Sequence, residues 1–231
     1  LSEYGITDAS RAIDINRALR ADGLLEVYTQ DGMEYLDPWV SRAFAVADHQ
    51  VAHVYVNDNA DIPRVRDIVA GLSGVDMVLD RVEQARYQLD HPRAGELVAV
   101  AEPDAWFTYY YWLDDNRAPD FARGVEIHRK PGYDPAELFF NPKDPFVKAK
   151  AGLNLAKKMA GLRYAMNVVP LDPSPVRGSH GRLPDAPEDG PILLCSDPRD
   201  PGKDRLAATD VHDLLLGLQG LKAPLQILKG Q

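Results

Sequence analysis

The sequence lacks several features that mark large classes of protein. Its single cysteine, Cys195, excludes an internal disulfide. No apolar run approaches the roughly 20 residues of a membrane-spanning helix, and the first residues show no signal-peptide pattern, although export stays open if the true N-terminus lies upstream. Acidic residues outnumber basic ones, 35 to 26, which argues against a general nucleic-acid or anionic-membrane surface. A small anionic substrate needs only a local site and stays compatible.

What the sequence does contain is enough for a folded α/β protein. Its 231 residues, 45% of them hydrophobic, support one large domain or two small ones with a sizeable core. Two β-rich runs at 43–48 and 51–56 precede a helix predicted over 62–72, with Pro63 in its first turn. VDMVL (75–79) follows as a strand. This strand–helix–strand order indicates an α/β unit.

Other patterns predict further elements with less regular spacing. A helix over 9–21 is predicted with Thr7 or Asp8 as its cap and Gly23 as its end. The Asp31–Gly32 pair predicts a hairpin turn. Further strands are predicted at 24–29, 96–102 and 192–196, and further helices at 146–162 and 208–221.

An aromatic stretch, DAWFTYYYWLDD (104–115), has two interpretations. It is either a stacking platform for bases or a strand pair that buries aromatic side chains. The absence of interleaved basic residues favours burial. Cys195 lies in the apolar run ILLCS, and we interpret it as a buried strand thiol rather than a catalytic one, because a catalytic thiol needs an electropositive, partly exposed setting.

The most pointed candidate motif is GSHG (178–181). A histidine between two glycines, in a loop flanked by prolines, is expected to be exposed on that loop. The glycines allow the backbone to approach a ligand closely. A neutral imidazole of His180 there could bind zinc. The same pattern also occurs in ordinary turns, so the motif alone leaves both interpretations open.

Two further segments carry candidate chemistry. In EIHRKPGYDP (126–135), His128, Arg129 and Lys130 are predicted at the end of a short strand, where they would suit a phosphate or simply be solvated. His49 and His53 lie in a β-rich run, either as a metal pair on one strand face or as residues that fill that face.

The opening segment SEYG (2–5) places Glu3 just after an apolar residue and before Gly5. A carboxylate at the carboxyl end of a strand is where open α/β sheets place their chemistry. Because Asp and Glu also cap helices, the spacing alone is weak evidence.

In this order, SEYGI (2–6), GSHG, GPILL (190–194) and DVHDLLLGLQGL (210–221) resemble the type I phosphodiesterase/nucleotide pyrophosphatase family of the alkaline phosphatase superfamily. The resemblance implies a partial alkaline-phosphatase-like three-layer sandwich, with a mixed sheet flanked by helices. It also implies a two-metal site, of zinc or manganese, that activates a Thr or Ser nucleophile. An inserted α+β cap segment is predicted over about 81–165.

The resemblance assigns roles to individual residues. His180 and Glu3 become metal ligands, and His128, Arg129, Lys130 and Tyr4 become substrate-binding residues. Tyr4 stands where the family has a histidine, and a phenol with an ordinary pKa near 10 is a poor zinc ligand. Either the second metal is held differently, or a residue such as His128 substitutes, or the site holds one metal.

The family's nucleophile, first metal-binding Asp and Asp-x-x-x-His pair would all precede residue 1. We therefore expect residues 1–231 to be the C-terminal part of a hydrolase domain, inactive without the missing N-terminal half. Its expected substrate is a small phosphorylated molecule with a phosphodiester or phosphoanhydride bond.

Two alternatives stay open. The first is a non-catalytic phosphatase-like binding domain that has lost its second metal site, as Tyr4 suggests. The second is an unrelated α/β domain whose motifs coincide by chance. A structure with residues 2–5 far from 178–181 would decide in its favour, because the family resemblance needs both loops on one rim of the sheet.

Overall fold

The computed structural model describes residues 1–125, 127–196 and 205–221. Tyr4–Gly190 forms one compact unit, and Leu1–Glu3 with Pro191–Gln231 forms a second. The strands are β1 (Thr7–Asp8), β2 (Arg11–Ile13), β3 (Val27–Gln30), β4 (Met33–Leu36), β5 (Ala43–Asp48), β6 (Val51–Val56), β7 (Val75–Leu79), β8 (Leu97–Ala101), β9 (Ala105–Phe107) and β10 (Gly178–Ser179). The helices are α1 (Ile15–Ala21), α2 (Ile62–Ala70), α3 (Arg81–Ala85), α4 (Val147–Met159) and α5 (Val211–Leu218).

The larger unit contains a four-stranded sheet in the order β5-β6-β8-β7, in which all neighbours are antiparallel. Strands β6 and β7 consequently run the same way, and α2 connects them while β8 fills the gap between them. Three two-stranded sheets accompany it, namely β1–β10, β3–β4 and the parallel pair β2–β9. The α/β class with parallel and antiparallel pairing is confirmed.

The four-stranded sheet has two different apolar faces, because successive residues of a strand point to opposite sides. Leu97, Ala99 and Ala101 of β8 belong to the main core, which also holds Leu19 of α1 and Val65 of α2. The alternate residues Val98 and Val100 belong to a second cluster with Leu79, against which Val51, Met77 and Leu89 pack. The second face is therefore apolar as well.

Helix α1 begins later than its pattern predicts. Residues 9–13 are not helical: Arg11–Ile13 pairs in parallel with Ala105–Phe107, and Ile13 enters the core. Asp14, rather than Thr7 or Asp8, stands at the N-terminus of the helix. The pairing with a distant strand overrides the local helical pattern. The predicted end at Gly23 is confirmed by its left-handed backbone, φ +72°.

The Asp31–Gly32 hairpin and the strand–helix–strand unit follow the prediction closely. Asp31 and Gly32 both have positive φ and connect β3 to β4, as their pair predicts. Strands β5 and β6 occupy the predicted 43–48 and 51–56. Segment 81–165 contributes β8 and β9 to these sheets, and a cap role for it stays a prediction.

The aromatic stretch is buried rather than a surface platform. Trp106, Phe107 and the run Tyr109–Trp112 are at most 1% exposed. Arg17 lies over the rings of Tyr110 and Trp112 and donates to the carbonyl of Trp112 at 2.7 Å. Burial of the aromatic side chains is confirmed, and stacking on bases is wrong because the rings are buried. The predicted strand pair does not form, since within 104–115 only Ala105–Phe107 is a strand.

In the smaller unit, Ser2 exchanges two hydrogen bonds with Ile192, at 2.7 and 2.8 Å. The predicted strand at 192–196 does not form, because its backbone has no ladder partner within the described part of the chain. Cys195 is exposed, so the buried strand thiol was a wrong interpretation. The predicted final helix is present as α5. Among the described residues, no helix has the length and apolar character to cross a membrane.

Candidate active site

Four aromatic side chains from four separate segments make consecutive ring contacts, and we call this set the ring column: Tyr133, His49, His180 and Tyr4. Ring centroids are 4.6 Å apart for Tyr133 and His49, and 4.1 Å apart for His49 and His180. Tyr4 lies parallel on His180, with 3.6 Å between centroids and 4° between planes. The two outer tyrosines are each 46% exposed. The column therefore reaches solvent at both ends and encloses two histidines.

Pairing of β1 with β10 brings Tyr4 and His180 together. Thr7 pairs with Ser179 and Asp8 with Gly178, so the residues just before β1 lie beside those just after β10. Gly5 fixes the approach, since a Cβ there would lie 1.9 Å from the carbonyl oxygen of Asp189. The glycine of the SEYG segment is therefore a close-packing requirement. The separation of these two segments that would have decided for an unrelated domain is not found, since Tyr4 lies on His180.

The loop that carries His180 is fastened to the turn between β5 and β6. The backbone N–H of Gln50 donates to the carbonyl of His180 at 2.9 Å. Gly181 follows with φ +120°, and a Cβ at that position would lie 3.3 Å from the backbone nitrogen of Gln50. The second glycine of GSHG is consequently required by both its backbone angle and its contact.

His49 occupies a strained position in that two-residue turn. Its φ of +57° is uncommon for a residue with a side chain, and its carbonyl accepts the N–H of Phe107 at 2.7 Å. Burial and the charge on His180 lower the pKa of His49, and Asp48 opposes the shift. The His49 Nδ1 is buried and has no hydrogen-bond partner among the described residues. Strain of this kind clusters at functional sites.

Tyr133 is placed by a buried ionic cluster in the same segment. Lys130 Nζ lies 2.8 Å from Asp134 and 2.6 Å from Glu137, with its side chain fully buried. Burial raises the pKa of Asp134, and the Lys130 ammonium opposes that rise. Ala47 forms a bridge with Gly132 and accepts the N–H of Tyr133 at 2.8 Å. The segment thus acts as an anchor that holds Tyr133 against His49.

The remaining residues of the predicted phosphate site lie on a turn. Ile127–Arg129 is a single 3-10 turn and not the predicted strand end. His128 is exposed. Arg129 donates to both oxygens of Asp120, at 3.0 and 3.1 Å, and lies over the ring of Phe121. The charges of Arg129 and Lys130 are therefore matched within the chain, and their contact with a substrate phosphate stays a prediction.

Two other predicted residues lie outside the column. Glu3 is exposed and belongs to the smaller unit, whereas Tyr4 belongs to the larger one. His53 accepts the N–H of Gly95 at its Nδ1, 3.2 Å away. His49 and His53 were predicted as a metal pair or as fillers of one strand face. The pairing is wrong, because His49 lies in the turn and turns toward His180.

The donors of the column fit only part of a metal site. Two imidazoles 4.1 Å apart are ligands of the type that zinc takes, and one has an unpartnered buried nitrogen. Within residues 1–125, 127–196 and 205–221, however, no group of three or more His, Cys, Asp or Glu side chains is placed to hold a metal. A complete zinc site needs three or four protein ligands.

Comparison with known families decides the chain's affiliation. Residues 1–134, more than half of the chain, match the family described as type I phosphodiesterase/nucleotide pyrophosphatase. The chain belongs to this family. The match includes Tyr4, His49 and Tyr133, three of the four rings of the column.

Two solved structures are similar to this family member, both of phosphonoacetate hydrolase from Sinorhizobium meliloti 1021. The complex with phosphonoacetate is 20% identical with a TM-score of 0.33, and covers 46% of this chain and 27% of that one. The complex with phosphonoformate is 18% identical with a TM-score of 0.35, and covers 51% of this chain and 28% of that one. The similarity thus spans little more than a quarter of those chains. A comparison with curated proteins gives no match.

Two rings of the column carry no motif signal in the sequence of this phosphodiesterase-family chain. The spacing of His49 relates it to His53, although its place in a two-residue turn between two β-rich runs is a usable signal. The contact of Tyr133 with His49 depends on a long-range bridge between Ala47 and Gly132. No local pattern reveals a bridge of that kind.

Proposed function

We propose that this chain is part of a hydrolase of phosphodiester or phosphoanhydride bonds and that the ring column forms one side of its active site. The supporting observation is the stacking of Tyr4 on His180, because it joins the two segments that resemble the family's metal motifs. Family membership supports hydrolysis of phosphoester bonds in general. The type of bond hydrolysed and the requirement for a divalent metal are proposed here in addition to what family membership supports.

In this proposal the column presents the neutral imidazole of His49 at neutral pH. The lowered pKa of His49 keeps its ring uncharged, and an uncharged ring has a lone pair for a cation or a proton. Tyr4 covers one face of His180, and His49 contacts it at 4.1 Å. Both contacts fix the plane of the His180 ring before substrate arrives.

A divalent metal, zinc or manganese, would be held by His180 together with further donors. A bound metal of this kind polarises a phosphoryl oxygen and activates a nucleophile. Tyr4 occupies the position of a second histidine, so His49, rather than His128, is the imidazole nearest to His180 that can take its place.

The proposal is tested with the protein in its natural length, by hydrolysis of bis(4-nitrophenyl) phosphate with Zn²⁺ or Mn²⁺ added. We expect His180→Ala to lower kcat/KM by at least about 100-fold, because removal of residues that hold or orient a metal costs 10–100-fold or more. His212→Ala is the matched control, since His212 is 65% exposed on α5 and outside the column. An unchanged rate in His180→Ala would remove the assignment.

A second candidate function is a non-catalytic phosphatase-like binding domain. The observation that favours it is Tyr4 in place of a histidine, together with the incomplete donor set of the described residues. Calorimetry separates the two functions. If the full-length wild type binds neither Zn²⁺ nor Mn²⁺ and hydrolyses no aryl phosphodiester, the binding domain is the better account.

A further inference from the structure

A cleft of about 640 Å³ opens beside the ring column, with His180 in its wall. Its volume falls in the range of about 300–1,000 Å³ that small-molecule sites occupy. That space is larger than a phosphoryl group alone requires. The cleft lies wholly within the Tyr4–Gly190 unit.

The floor of the cleft is the second apolar face of the four-stranded sheet. It is formed by Val51, Met77, Leu79 and Val100, and Leu89 packs beside them from the segment after α3. The Leu79 and Val100 side chains are 7% exposed, and Met77 and Leu89 are partly exposed. A sheet face of this kind offers a broad apolar surface, and thioethers such as Met77 make favourable contacts with aromatic rings.

The rim of the cleft is polar, with arginines of two kinds. Arg182 is held between Asp76, at 3.1 Å, and Asp185, at 2.7 Å, and its side chain is 12% exposed. Arg86 is exposed, and its guanidinium forms no ion pair with any residue that the structure describes. The Arg182 side chain is therefore held in place by two ion pairs, whereas the Arg86 guanidinium has N–H donors available for a ligand.

Tyr87 completes the rim above Met77. Its hydroxyl lies 3.8 Å from the Met77 sulfur, and its ring is 41% exposed. An aromatic ring and a guanidinium above an apolar floor form a site for a planar group with hydrogen-bond acceptors on its edge.

We propose that this cleft binds the organic leaving group of the substrate, an aromatic or heteroaromatic group with acceptor atoms on its edge. The inference rests on the proposed function, because it places the phosphoryl group at His180. Because His180 lines the cleft, a phosphoryl group bound at His180 would lie next to it. The ester substituent would then lie on the apolar sheet face, and the polar edge of that substituent would contact Arg86.

The test is a titration of the chain with 4-nitrophenol, followed by two-dimensional NMR. We expect saturable shifts at the amides of Val51, Met77 and Leu89. Met77→Trp fills the cleft and should weaken binding at least about tenfold, equivalent to 1.4 kcal/mol. Arg86→Ala, a surface change that leaves the fold intact, should weaken binding about threefold or more through the loss of a hydrogen bond. Arg93→Ala, an exposed arginine outside the cleft, should leave binding unchanged.

Failure of the cleft and failure of the hydrolase are distinguishable. If 4-nitrophenol binds in the cleft but the full-length protein hydrolyses no phosphodiester, the cleft proposal is retained and the hydrolase proposal is wrong. Hydrolysis that depends on His180, with no shifts in the cleft and with unchanged KM in Met77→Trp and Arg86→Ala, would overturn the cleft alone. Shifts spread over the whole surface would also overturn it, because they indicate nonspecific association.

Discussion

Two histidine-bearing segments, GSHG (178–181) and IHRKPGYD (127–134), look equally suited to chemistry in the sequence but differ in the structure. His180 meets Tyr4 and His49 in the ring column. In the other segment the basic side chains form ion pairs within the chain: Lys130 with Asp134 and Glu137, and Arg129 with Asp120. The difference shows that the basic residues of this segment hold it in place through ion pairs. The residue of the segment that contacts the ring column is Tyr133.

The largest effect is expected at the anchor. Lys130→Met leaves Asp134 and Glu137 buried without a cation, which costs about 3–5 kcal/mol. Lys148→Met on exposed α4 should change stability by less than about 0.5 kcal/mol. Urea unfolding of both variants measures this difference. Equal midpoints for the two variants would show that Lys130 is free to bind a phosphate.

The next effect is expected at the loop that carries His180. Gly181→Ala places a side chain at φ +120° and 3.3 Å from the Gln50 nitrogen, which should cost about 1–3 kcal/mol. Gly152 lies in α4 with open space around it, so Gly152→Ala should stabilise the chain by about 0.5–1 kcal/mol. Thermal unfolding compares the pair. A shift of the same sign in both variants contradicts the described loop.

A smaller and more specific effect is expected at His49. His49→Asn and His49→Ala both remove the ring, but Asn tolerates a left-handed backbone better, so it should be about 1 kcal/mol more stable than Ala. Hydrolysis by the full-length protein should fall about equally in both, since both lack the imidazole. If activity follows stability instead, His49 has only a structural role.

The smallest effect is a pH dependence at His53. Burial lowers the pKa of His53, with a further contribution from Arg81, while Asp48 opposes it. Below the unfolded-state pKa of about 6.5 the unfolded chain binds the proton first, so stability falls as pH drops from 6.5 toward the lower folded-state pKa. His53→Gln should reduce that loss. Denaturant midpoints at pH 7.5 and 5.5 provide the comparison, and parallel losses in both proteins would exclude His53 as a source.

The fold was predictable where short-range patterns determine it. Strands β5 and β6, the Asp31–Gly32 turn and the Gly23 helix end follow from local sequence, and the structure has them as predicted. The start of α1 was not predictable, because the pairing of Arg11–Ile13 with a strand some 90 residues away decides it.

The candidate site was predictable only at its motif residues. His180 and Tyr4 carry recognisable neighbours, and glycines beside them are required by close contacts. The contribution of His49 and the anchoring role of Lys130 depend on which distant residues surround them. Burial converts Lys130 from a surface cation into half of an ion pair, and no pattern of adjacent residues encodes that burial.

The most direct measurement of the difference between the two segments is kcat/KM of the full-length protein for bis(4-nitrophenyl) phosphate in His180→Ala and Arg129→Ala. We expect a loss of at least about 100-fold for His180→Ala and of less than about threefold for Arg129→Ala, whose surface ion pair contributes little. A loss in Arg129→Ala as large as that in His180→Ala, or a wild-type rate in His180→Ala, would contradict an active site at the ring column.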